Sequence, residues 1–152
     1  MKIHRILLPA ALMAPWAVAV PAADIYVSTS GNNANNGTSP GTAVRNIQFA
    51  YMNRAQDGDT IHVLPGTYNE CVSAYSLALV TPVERDVHIV AQAWLDSQNR
   101  TTTIITGSNQ NCFGDPSAVQ SVVTIGGDGV SLEGFTISGA VASGVFGFGN
   151  IV

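Results

Sequence analysis

Two histidines, His62 and His88, stand in similar settings, "TIHVLP" and "RDVHIVAQ". In a strand, such alternation sends the aliphatic neighbours to one face and the imidazole to the other. Laying Ile61-His62-Val63 over Val87-His88-Ile89 places the two rings side by side on adjacent strands. Their spacing would then be about 4.8 Å. A stacked pair could line a substrate groove or share a proton, since imidazole titrates near neutrality. The plainer reading is two surface histidines in strand positions.

The acidic candidates are Asp57, Asp59, Asp115, Asp128 and Glu133. Two carboxylates flanking a sugar can hydrolyse a glycosidic bond, and two or three together can hold Ca²⁺. Asp115, Asp128 and Glu133 are the metal candidates, whereas Asp57 and Asp59 frame the turn "QDGDT". Serine-nucleophile motifs, phosphate loops and metal-ligand spacings are absent, and no cofactor signature is present. Two cysteines, Cys71 and Cys112, form either one disulfide, as an even pair in an oxidising compartment would, or two separate buried thiols.

Export is the expectation set by the first residues. "MKIHR" is a short basic stretch, "ILLPAALMAPWAVAV" is apolar, and "PAAD" offers small residues for cleavage, together the pattern of a secretory signal peptide over residues 1–23. The apolar run of 15 residues is shorter than the ~20 that span a bilayer, so no membrane span is expected after cleavage. Cleavage removes Lys2 and Arg5 and leaves four arginines against ten acidic residues, a formal charge of −6 with no lysine. That balance argues against nucleic acid, whose phosphates require a basic surface. An anionic polymer would need a bridging divalent cation.

The elements that would position these groups are short strands. Charged residues make up only 11%, and glycines number 15, a mixture suited to β-structure with many turns. "DIYVS" reads as a strand and "TSGNNANNGTSPGT" as a loop, with Asn36-Gly37 suited to a positive-φ turn. The loop's amide oxygens could hold calcium, though a plain loop is the simpler reading. Asn46 is placed to cap one helix, "IQFAYMNRA", with Ile47, Ala50, Tyr51 and Arg54 or Ala55 on one face. No second helix of that quality is evident. "TTTIITG" and "SVVTIGGDGVSLEGFTISGA" add further strands, bent at Gly126-Gly127 and Gly134.

The Ile61 and Val87 segments repeat. Val123-Thr124-Ile125 is taken as the next member of the series, and the stretch at Ile151 as a return of the one at Val130. Irregular repeats of short strands and glycine turns point to a β-solenoid. An antiparallel sandwich is the rival, but few two-residue hairpin turns are visible.

The words "YVSTSGNNANNGTSP" and "RNIQFAYMNRAQDGDTIHVLPGTYNE" resemble the N-terminal segment of secreted right-handed parallel β-helix proteins of the pectate-lyase-like superfamily. The resemblance implies an all-β, right-handed parallel β-helix with a short N-terminal capping helix. Residues 24–58 would form the strand, loop and cap, and residues 59–152 about three to four coils. Tyr68 and Glu70 of "GTYNE" would pack and solvate respectively. The chain breaks off on "GVFGFGNIV", inside a coil, which suggests the front of a longer protein. Functionally it implies a secreted, carbohydrate-active protein of polysaccharide-lyase type, acting on extracellular polysaccharide, with its catalytic part on later coils and Ca²⁺ in the full-length protein. The alternative is a non-catalytic adhesin-like or glycan-binding module. The lysine base of some relatives has no counterpart here.

Overall fold

The computed structural model describes residues 21–75, 86–107, 121–126 and 129–139, and the strand 143–148. In chain order the elements are β1 (Asp24–Val27), a 3-10 turn (Pro40–Thr42), α1 (Ile47–Asn53), β2 (Thr60–Val63), β3 (Gly66–Asn69) and β4 (Val72–Tyr75). There follow β5 (Val87–Ala91), α2 (Gln92–Ser97), β6 (Thr103–Thr106), β7 (Ser121–Gly126), β8 (Val130–Glu133), β9 (Thr136–Ser138) and β10 (Ser143–Phe148). The strands form three sheets, in the orders β1-β2-β5-β8, β3-β6-β9 and β4-β7-β10. Every strand pairing among the described residues is parallel. From β2 onward the chain visits the three sheets in turn, three times over. The described residues are strand-rich with two short helices, and the antiparallel sandwich does not describe them.

Alternation puts like residues in register. Ile25, Ile61, Ile89 and Leu132 form one row, and Val27, Val63 and Ala91 the next. Tyr68, Ile105 and Ile137 stack in the second sheet, and Val72 meets Val123 in the third. Most of these side chains are buried in one core, where a β-branched aliphatic is worth about 1.5–3 kcal/mol.

The repeat differs from expectation in its register. Ile61 pairs with Ile89, not Val87, so the pairing is slipped by two positions from the sequence overlay, and His62 faces Val90 while His88 faces Thr60. A slip of two leaves the same side chains inward, so the hydrophobic pattern cannot discriminate. The turn does. The Asp86 amide donates to Asp57 Oδ1 at 2.8 Å, and the Gly58 amide donates to the Asp86 carbonyl at 2.6 Å. Gly58 takes φ +84° there. The third member is also different: β8, not Val123-Thr124-Ile125, joins β5. The Val123 segment is β7 and lies in the β4 sheet. Ile151 lies outside the described residues.

The helix α1 forms where expected, with Ile47, Ala50 and Tyr51 buried. Ala55 is buried too, while Arg54 turns its guanidinium to the carbonyls of Asn33, Asn35 and Asn53. Asn46 occupies the N-cap position without capping through its side chain. Glu70 caps instead, accepting from the amides of Ile47 and Gln48, both at 3.0 Å. It is 9% exposed, so the solvated role expected for it is wrong: the first free amides of the helix need an acceptor, and the chain supplies one from β3's end. Gln48 extends the same logic to the third sheet. Its side-chain amide donates to the Ser73 carbonyl at 3.1 Å and accepts from the Ser73 amide at 2.5 Å, as a neighbouring strand would.

The loop before α1 consumes its own amides. Asn33 Oδ1 accepts from the Arg45 and Asn46 amides, Asn32 Oδ1 from Ala34, and Asn36 Oδ1 from Thr38. Gly37 takes the expected positive φ, +79°. The second helix, α2, was not evident in the sequence: at six residues it is too short to display a helical period.

Candidate functional site

Outward-facing residues of the four-stranded sheet form two rows across it: Asp24-Thr60-His88-Ser131 and Tyr26-His62-Val90-Glu133. Because His62 and His88 belong to different rows, they do not stack. Each is held by a separate acid on a neighbouring strand. His62 Nε2 lies 2.9 Å from Asp24 Oδ1, Nδ1 lies 3.0 Å from Gln92 Oε1, and the ring stacks on Tyr26 with centroids 5.1 Å apart. His88 Nε2 lies 3.3 Å from Glu133 Oε2, and its side chain is 39% exposed.

The helix α2 follows β5 directly and contributes the rest of this face. Gln92 ties His62 to Asp96, donating to Asp96 Oδ1 at 2.7 Å. Trp94 Nε1 donates to Glu133 Oε1 at 2.6 Å, and the Arg100 guanidinium lies 4.2 Å from the Trp94 ring centroid. The indole sits where only glycine leaves room: a Cβ on Gly134 would come within 2.3 Å of Trp94 Cβ, and Gly134 has φ +82°. Val90, although on the outer face, is fully buried. The result is a fixed surface of Tyr26, His62, His88, Trp94, Glu133 and Arg100.

Of the residues expected from sequence to matter, His62, His88 and Glu133 share this face. Asp57 and Asp59 are committed to the turn, Asp59 accepting from the amides of Ala23 and Gln56, each at 2.7 Å. Asp115, Asp128 and Cys112 lie outside the described residues. Among the described residues, no three acidic, histidine or cysteine side chains converge as a metal site, and no helix is long and apolar enough to cross a membrane. Sequence reasoning missed Tyr26, Gln92, Trp94 and Arg100. Tyr26 was legible, since it alternates with the inward Ile25 and Val27; the others depend on α2.

A second polar cluster lies at the start of α1. Burial pushes the Glu70 carboxyl above its ordinary range, against the amides of Gln48 and Ile47 and the Asn46 side chain, which pull it down. Burial, and then the Glu70 charge, push the Tyr68 phenol far up. Its hydroxyl donates to the Leu64 carbonyl at 2.7 Å. This cluster is structural.

Comparison with protein-family models, curated proteins and solved structures yields no match to the chain.

Proposed function

We propose that this chain is an exported right-handed parallel β-helix, capped by α1, whose four-stranded sheet binds an extracellular polysaccharide on its outer face. The carrying observation is the locked Tyr26–His62 and Trp94–Glu133–Arg100 arrangement across parallel strands. The stacked rings hold this face rigid, and fixed carboxylate, imidazole and guanidinium groups supply oriented hydrogen bonds at little ordering cost. The cyclic visit to three sheets and the resemblance of the cap segment support the β-helix reading. Export rests on the leader-like first residues.

Binding is favoured over chemistry at His62, because both its ring nitrogens are engaged. His88 favours a second reading. Among the described residues its Nδ1 has no partner, and Glu133 orients the ring, as a general base requires. With Arg100 near the same indole, the cluster offers both a base and a cation for a uronate carboxylate, the two needs of a polysaccharide lyase.

Trp94 makes the test direct, being the one tryptophan besides Trp16 of the leader. Titration with neutral and uronate polysaccharides should change its fluorescence, and Tyr26→Ala should weaken binding at least about fivefold. If no polysaccharide binds to folded protein, the binding reading fails. Formation of unsaturated uronate by the wild type but not by His88→Ala would establish the second reading.

A further inference from the structure

The three sheets begin differently. The first starts with β1, whose main chain is paired with the loop: Tyr26 donates to Gly37, Ser28 to Val44, and Val44 to Tyr26. The third is closed by the Gln48 side chain on Ser73. The second begins with β3, and nothing among the described residues closes it. The parallel register of β3 on β6, with Gly66 paired to Thr103 and its amide donating to Thr102, turns the amides and carbonyls of Thr67 and Asn69 away from β6. Among the described residues, no hydrogen bond reaches either main chain.

That open edge borders a cleft of about 220 Å³, lined by Thr29, Arg45, Asn46, Thr67, Asn69 and the buried pair Tyr68 and Glu70. Arg45 stands at it with an exposed side chain. Of the other described arginines, Arg54 is committed to carbonyls and the Phe49 ring, and Arg100 lies over Trp94 on the face of another sheet. Arg45's guanidinium makes no hydrogen bond, ion pair or ring contact among the described residues.

We infer that the β3 edge is a docking site for an extended acidic peptide strand, which would add to the β3-β6-β9 sheet. Donors and acceptors that alternate along a strand edge are matched by another extended main chain, which pairs with both Thr67 and Asn69. Arg45 selects the sign of the incoming side chain, a carboxylate taking both arms of its fork. A strand edge left open inside a cleft, where its sister edges are closed by the chain itself, is the unmatched part of the cap.

The experiment uses the full chain and the peptide acetyl-Thr-Val-Asp-Val-Thr-amide. Hydrogen exchange at the Thr67 and Asn69 amides should be fast in the free protein and slow in the presence of peptide, with the Ser73 amide unchanged. A peptide with lysine in place of aspartate, or one N-methylated along its pairing edge, should not protect them. Arg45→Gln should weaken binding about threefold without altering the melting temperature. Protection by the lysine and aspartate peptides alike, failure of the aspartate peptide to protect, or competition for the cleft by oligogalacturonate alone would each overturn the proposal. Since the polysaccharide face lies on another sheet, Trp94 fluorescence should not respond to the peptide, which separates this outcome from that of the proposed function.

Discussion

At the scale of single residues, Glu70 shows how a side chain can carry a structural duty that its charge disguises. It ends the word "GTYNE", where a carboxylate usually means a solvated turn, yet both oxygens close the first turn of α1 from a distant part of the chain. Its pKa lies above the ordinary 4.5, raised by burial. Between the ordinary and the raised value the folded chain holds more proton than the unfolded one, so this group's contribution to stability is lost as pH rises through the folded value. Glu70→Gln should flatten the fall of melting temperature over that window, as read by calorimetry across pH. An unchanged slope would exclude Glu70 as its source. Glu70→Ala, which leaves the helix amides bare, should cost about 1–2 kcal/mol below that window and less above it. The identity of the cap was not legible locally, because Asn46 offers the usual N-cap residue and the true acceptor arrives from another element.

At the scale of elements, strand positions and inward faces were readable because a two-residue period with β-branched residues permits few alternatives. β1 and the strands around Gly134 follow that logic, and α1 was readable from the helical spacing of Ile47, Ala50 and Tyr51. Register and α2 were not readable, for different reasons. A slip by two positions preserves the buried face, so only the Asp57-Asp86 and Gly58-Asp86 hydrogen bonds distinguish the alternatives, and those depend on tertiary proximity. The helix α2 is too short to carry a period and is held by Trp94 and its contacts. The histidines were therefore assigned to the right face but the wrong partners. Gln48 gives this scale its prediction: Gln48→Ala should free both main-chain groups of Ser73, cost about 1–3 kcal/mol, and speed hydrogen exchange of the Ser73 amide relative to Ile61. Exchange as slow as in the wild type would show that the Gln48 amide is not closing that edge.

At the scale of the whole molecule, every strand pair among the described residues joins segments far apart in the chain. The step from Val123 to its partner Val145 is the shortest, and that from Val72 to Val123 the longest. Loop closure must precede each pairing, so folding should take about milliseconds to seconds; stopped-flow refolding complete within microseconds would contradict this. A Cys71–Cys112 bridge, which we propose from the cysteine count, would shorten the search and stabilise by about 4 kcal/mol on the chain-entropy model. Thiol titration of the unfolded, unreduced protein should then find none free, whereas two free thiols would remove the bridge.

The corner at Asp86 has a consequence for how such a chain can change over time. Gly58 binds Asp86 from one side, and Gly129 packs on it from the other, so closely that a Cβ would lie 3.0 Å from Asp86 Cα. The circuit that brings Ile89 onto Ile61 is shorter than the next one, which brings Leu132 onto Ile89, yet the rows of the outer face remain aligned. The corner acts as a fixed datum, and chain length is free to vary elsewhere in the circuit. Segments between strands, such as α2, can therefore be lengthened or exchanged without disturbing the strands beneath, so the outer face can be reshaped by changing one connection.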